Sequence, residues 1–272
     1  GNSGRADGRG PVNHYAAAAI KSAGMLQYAA YPDAVKPPPV TSPGHLDTFF
    51  TKHHQRLLAI NGIDTRNGGH ASGHRYVWTG RHEAGYPTIN ELVAAPVPGQ
   101  ALVFPTNAVC DHRAARVAAI QARYARGNDL QLDMSSDSLP LEVASGFKDQ
   151  VAVALGAFAS GLATSAGLQL GGFDTHANHD LAQTTALTRL LEGIDHLWTQ
   201  IEIHGLQHKV TVLIGSDLGR SPWYNAAGGK DHWHVTSMLA MGAGIAGNRT
   251  VGASTADVEA LRLNPATLAP HS

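Results

Sequence analysis

Leu168-Gln169-Leu170-Gly171-Gly172-Phe173-Asp174-Thr175-His176 reads as a short buried strand that delivers a carboxylate and an imidazole at its end. Asp180 to His204 follows with Leu187, Leu190, Leu191, Ile194, Leu197, Trp198 and Ile201 at helical spacing, and Gly205 is placed to end that helix. Val210-Thr211-Val212-Leu213-Ile214 then reads as a second buried strand, which leads into Gly215-Ser216-Asp217-Leu218-Gly219-Arg220. Strand, helix and strand in that order predict a right-handed parallel crossover. The expected fold class is α/β: a central, mostly parallel sheet with helices on both faces. Such sheets bind ligands beyond the carboxyl ends of their strands.

The composition supports a folded catalyst or binder more than a nucleic-acid protein. The 272 residues are 43% hydrophobic and 15% charged, which suits a globular domain. A net charge of -1 gives no electrostatic case for nucleic acid or an anionic membrane. A single cysteine, Cys110, excludes an internal disulfide. No apolar run is long enough to span a bilayer. The expectation is one domain over residues 1–272, incomplete at the N-terminus, since the chain begins at Gly1 without Met, with a missing C-terminal piece as an open alternative.

Taken in order, residues 1–10 are a Gly-rich loop, and Asn13 to Tyr28 reads as an Ala-rich helix. His45 to Leu58 reads as an amphipathic helix and Leu58 to Asn61 as a short strand. Asn67 to Arg81 is a Gly-rich loop in which His70, His74, Arg75 and Arg81 crowd together near Asp64, suited to line a site or to lie solvated at the surface. A short helix is expected over Pro87 to Ala95 and a strand over Ala101 to Phe104. Further helices are expected over Ala114 to Arg126 and Phe147 to Ala163, with a polar loop at 127–142 between them. Ser237 to Gly244 reads as the last strand.

Chemistry concentrates after the two central strands and in Gly229-Lys230-Asp231-His232-Trp233-His234. Asp174 and His176, one residue apart, can point the same way; Asp217 ends the next strand and His232 arrives from the following loop. Two carboxylates and two imidazoles suit one divalent metal with an open position: zinc first, with calcium or manganese as alternatives. Asp231 and His234 are candidates for supporting or acid–base roles, and Arg220 for gripping an anionic oxygen. Ordinary readings exist for each: Asp174 as a turn cap, His176 bonded to backbone, Asp217 and Arg220 as a surface ion pair. Cys110 and Arg116 have the spacing of cysteine phosphatases, but no glycine stands between them to cradle a phosphate.

These motifs resemble a known family. GFDTH, SDLGR-P and GKDHW are similar to the Gly-Trp-Asp-Thr-His, Glu-Phe-Gly-Arg-Thr-Pro and Gly-Arg-Asp-His-Trp motifs of the bacterial domain-of-unknown-function family fifteen-oh-one. NGGHASGHRYVWTG is similar to that family's His-containing segment. The family is grouped with alkaline phosphatases and sulfatases. The resemblance implies an alkaline-phosphatase-like fold and an exported, periplasmic or cell-surface protein. It implies metal ligation by Asp174, His176 and His232, with Asp217 at the place of a second metal and Leu218 where a further ligand would stand. The function expected is metal-dependent hydrolysis of a phosphate or sulfate ester, small or carried on a glycan. The rival expectation is a non-catalytic exported scaffold or binding protein that keeps a structural metal.

Overall fold

The computed structural model describes residues 19–32, 35–94, 103–104, 146–159 and 163–271. Two compact units make up the chain: Gly1–Val77, Gly171–Asp195 and Leu206–Ser272 in one, Trp78–Leu170 and His196–Gly205 in the other.

The first unit opens with a hairpin of β1 (Ile20–Ala23) and β2 (Leu26–Ala29), turned at Gly24 with φ 58°. The helix expected from Asn13 to Tyr28 is therefore corrected over its described part. Within Ile20–Ala29 the Gly24 turn breaks any helix, and Ala23 and Leu26 bury while residues beside them stay exposed. Helix α1 (Leu46–His53) buries Leu46, Phe49 and His53 on one face, and His45 caps it by accepting from the Asp47 amide through Nδ1 at 3.2 Å. After one 3-10 turn the chain enters β3 (Leu57–Asp64), longer than the strand read from sequence.

The central sheet has the order β10-β3-β9-β6, with β6 at Thr211–Gly215, β9 at Val235–Gly242 and β10 at Arg249–Val251. Only β10 and β3 run parallel; β3 with β9 and β9 with β6 are antiparallel. This overturns the expected alkaline-phosphatase-like, mostly parallel sheet: the chain is α/β with a small mixed sheet. The reason lies in residues 167–171, which form no strand. The Gln169 amide donates to Gln150 Oε1 at 2.8 Å and its carbonyl accepts from Gln150 Nε2 at 3.0 Å. One side-chain amide thus takes up the backbone groups that a ladder would have used. Without a strand before the helix that leads into β6, the expected strand–helix–strand crossover does not form there, and β6 pairs antiparallel with the later β9.

A register shift between Ile60 and Ile63 marks a bulge in β3, with Gly62 at φ 70°. The interior of this unit is built on Leu26, Phe49, Leu57, Ile194 and Met241, each almost fully buried.

The second unit holds α3 (Ile89–Ala94), β4 (Val103–Phe104), α4 (Phe147–Ala159) and β5 (Ser165–Ala166), which runs parallel to β4. Val151, Ala154 and Leu155 bury along α4. The Ser165 hydroxyl donates to the Asn90 carbonyl at 3.0 Å. The long helix α5 (His179–Ile203) belongs to the first unit up to Asp195 and to the second from His196; it keeps Ala186, Leu191, Ile194, Leu197, Trp198 and Ile201 buried, the stripe its spacing predicts. Cys110, Arg116, the expected helix 114–126 and the loop 127–142 lie outside the described residues. Among those described, no helix is long and apolar enough to cross a membrane.

Candidate metal centre

Four segments of the first unit meet at one point. Helix α2 (His70–Thr79) brings His70; the extended stretch before α5 brings Asp174 and His176. A two-strand ladder of β7 (Gly219–Arg220) and β8 (His232–Trp233) sets Arg220 opposite His232. Where the sequence predicts a loop over 67–81, the chain forms this helix. Asn67 Oδ1 accepts the Gly69 amide, and the Gly73 amide closes on the Gly69 carbonyl. Gly73 lies against the Asp217 carbonyl, so its lack of a Cβ is what lets α2 approach. Gly229 lies likewise on the His176 backbone. Asn225 ties these pieces together: its amide donates to the His176 carbonyl and to Asp231 Oδ1, both at 3.0 Å, while its oxygen accepts the Gly229 amide.

Asp174 is the hub. Its Oδ1 lies 2.9 Å from His176 Nε2, 3.1 Å from His232 Nε2 and 2.6 Å from Arg220 Nη2, and its Oδ2 lies 3.5 Å from His70 Nε2. The two imidazoles face each other, Nε2 to Nε2, at 3.0 Å. All three rings have their other nitrogen on an oxygen: His70 Nδ1 on Asp217 Oδ2 at 2.6 Å, His176 Nδ1 on Asp231 Oδ1 at 3.0 Å, His232 Nδ1 on the Gly68 carbonyl at 2.6 Å. Those acceptors assign the single proton of each neutral ring to Nδ1. Three Nε2 lone pairs are then aimed at a carboxylate with no proton to share, an arrangement that is stable around a cation.

The fit to a metal is direct. His70, Asp174 and His232 form a group that can hold a metal ion, their ligand atoms all within 4.8 Å of one another. The spacings of 2.9 to 3.1 Å among Asp174, His176 and His232 lie a few tenths of an ångström inside the roughly 3.3–3.6 Å expected of donors about 2.0–2.2 Å from a tetrahedral zinc. Carboxylate or carbonyl acceptors behind each imidazole are the usual support for metal-binding histidines. Asp174, His70 and His176 are each about half exposed, which leaves an approach from solvent.

Residues 114–269 match the family described as Protein of unknown function (DUF1501). The chain belongs to the DUF1501 family. Neither a curated protein nor a solved structure matches it.

In this DUF1501 member the sequence-predicted residues Asp174, His176 and His232 come together, and His70 joins them. Asp217 and Asp231 stand one step back, bonded to His70 and His176. Arg220 is engaged at both ends, Nη2 on Asp174 and Nη1 on the Lys230 carbonyl at 3.2 Å. His234 points elsewhere, bonding Glu259 Oε2 through Nε2 at 3.0 Å. Leu218 is a buried core residue. His70 was visible in the sequence only as part of an ionisable patch; nothing in its spacing singles it out from His74.

The electrostatics follow from these contacts. Burial pushes the Asp174 carboxyl up, but the hydrogen bond and charge of Arg220, with the close approach of the His232 ring, outweigh it and hold the group well below the ordinary carboxylate range. The hydrogen bond to Asp217 raises His70. His176 holds Asp231 low, so Asp231 is an ionised acceptor for that ring. Behind the cluster, burial pushes the Lys230 ammonium down; its Nζ donates to the Pro222 carbonyl at 3.3 Å and lies 4.8 Å from the Tyr224 ring. Burial, then the Lys230 charge, push His179 down to about 4. A folded-state pKa below the ordinary 6.5 means that protonation favours the unfolded chain. The stability from neutral His179 is thus complete above pH 6.5 and is lost as pH falls toward about 4. We expect the melting temperature to decline across that window, and to decline less in His179→Gln. The contribution of Asp174 is lost only at still lower pH, so the two separate in one titration.

Thr65 fixes the turn that leads to His70. It is fully buried, its amide and hydroxyl both donate to the His234 carbonyl at 2.7 and 2.8 Å, and the hydroxyl also reaches the Asn67 carbonyl at 3.1 Å. Thr65→Val should cost about 1–2 kcal/mol in urea unfolding, because it deletes the hydroxyl but keeps the amide bond.

Proposed function

We propose that the chain is a metal-dependent hydrolase of phosphate or sulfate esters, exported by the cell that makes it. The observation that carries this reading is the convergence of one carboxylate and three imidazoles, each with its Nδ1 on an oxygen, at a half-exposed point. A structural metal is normally enclosed by its ligands, whereas a catalytic one keeps an open position. Zinc suits the imidazole-rich donor set best, with manganese or calcium as alternatives. Such an ion would supply Lewis acidity to the ester oxygen and to an attacking water. His70, Asp174 and His232 would hold it and leave a fourth position open, with His176 as a further donor beside it; Asp217, Asp231 and the Gly68 carbonyl fix the rings; Arg220 fixes the carboxylate. His234 lines the same depression as His232 and would be a candidate to pass a proton to a leaving group once its bond to Glu259 is released. The choice of phosphate and sulfate esters, and of an exported protein, rests on the likeness of the motifs to the family that sequence comparison suggests, and sheet topology lends it no support.

One observation favours a second reading, a binding protein with a structural metal. Arg220 spends its guanidinium on Asp174 and Lys230, so it is not free to grip a substrate oxygen. Elemental analysis of protein purified without added metal, followed by a screen of aryl phosphate and sulfate mono- and diesters, decides between them. Bound metal with turnover supports the hydrolase. Bound metal without turnover on any ester selects the binding protein, and protein without metal that takes up none on reconstitution removes both.

A further inference from the structure

An open surface depression of about 450 Å³ is lined by Asp64, Arg66, Asn67 and Gly68 from the turn after β3 and by His232, Trp233 and His234. His232 belongs to both, so the depression adjoins the candidate metal centre on the Nδ1 side of that ring. Arg66 sits at φ 54°, a left-handed conformation that glycine adopts freely and a residue with a Cβ does not. The turn does not need an arginine. Its bonds are made by Thr65 to the His234 carbonyl and by the Arg66 amide to Asp64 Oδ1 at 2.8 Å, all independent of the guanidinium. Among the described residues, the Arg66 guanidinium has no hydrogen-bond or carboxylate partner. An exposed cation is thus held in a strained place at the rim of this depression, its guanidinium without a polar partner among the described residues. Strain of this kind gathers at ligand sites. Opposite in character is Trp233, whose indole N–H donates to the Val258 carbonyl at 2.8 Å and whose ring packs edge-on to Trp223 at 5.0 Å and against His234 at 4.8 Å. That is a fixed aromatic wall, suited to the face of a sugar ring.

We propose that this depression is a substrate subsite in which Arg66 receives a second oxyanion, a carboxylate or sulfate, of an anionic saccharide whose ester is presented to the donor cluster. A planar guanidinium binds either oxyanion through paired hydrogen bonds. The inference rests on the hydrolase reading for the ester, but the subsite can be tested without turnover.

The experiment is calorimetric binding of two probe pairs, cellobiose with cellobiouronic acid and lactose with lactose 3′-sulfate, to the parent chain, Arg66→Lys and Arg66→Gly, with metal content measured on each. The parent should bind the anionic member of at least one pair ten-fold or more tightly than the neutral one. Arg66→Gly should erase that preference, retain its metal and melt at a higher temperature than the parent as the strain is released; Arg66→Lys should keep part of the preference. A preference confined to one pair identifies carboxylate or sulfate as the group received. Equal binding of charged and neutral sugars, no binding of either, or an Arg66→Gly variant that melts lower and loses metal overturns the proposal. Failure of the hydrolase reading shows separately, as no turnover of 4-nitrophenyl phosphate or sulfate by a parent chain that still discriminates the sugars.

Discussion

Asp174→Asn is expected to emerge from a metal-free purification with at least about a hundred-fold weaker affinity for added zinc than the parent, read by competition with a chromophoric chelator. The carboxylate is the hub of the cluster, within 3.1 Å of His176 and His232 and 3.5 Å of His70. An amide keeps the shape but removes the negative charge, and it turns either an oxygen or an NH2 toward rings that already point lone pairs inward. Arg220 would keep its bond only if the amide oxygen takes the Oδ1 place. Ester turnover should fall with metal occupancy while the circular dichroism of the fold is unchanged. Full metal content in this variant would remove Asp174 from the ligand set and, with it, the centre as drawn.

Gly229→Ala should have the second largest effect, and it acts without touching a ligand. A Cβ there would overlap the carbonyl of His176 and the amide of Ala177, both backbone atoms that cannot swing aside. The loop must move, and Asp231 and His232 move with it. Overpacking of this kind costs about 1–3 kcal/mol. Displacing the acceptor behind His176 should weaken metal binding about 10- to 100-fold as well. Gly228→Ala is the matched control: φ is 64° but nothing lies within 4 Å of its Cβ, so it should lose stability to backbone strain and keep its metal. Equal metal affinity in the two variants would show that the close approach at Gly229 does not place the site.

What the residues alone disclosed depended on the range of the interactions. Helix α5 was legible because its stripe is written locally, every three to four positions, and β6 and β9 because their apolar runs are continuous. The parallel sheet was not there to be read: Leu168–Gly171 has the composition of a strand, but its backbone bonds are met by Gln150, a partner that no local pattern announces. Helix α2 hid behind its glycines, which sequence rules assign to loops; Gly73 is there for the Asp217 carbonyl, a contact across the chain. Asp174, His176 and His232 could be grouped from sequence because short motifs keep a carboxylate and an imidazole side by side, and the structure brings them within 3.1 Å of one another. His70 was not separable from its neighbours, because the contact that sets it on Asp217 spans 147 positions and no local pattern announces it.

His70 and Asp217 stand 147 positions apart, and the cluster gathers its members from four such distant places. An ion seated among them would act as a clasp on the unfolded chain's largest loops. The consequence reaches beyond chemistry: heat resistance would become a property of the surroundings, rising with the logarithm of free metal concentration. The same chain would then be sturdy in metal-replete medium and short-lived in a chelating one, with no change in a single residue.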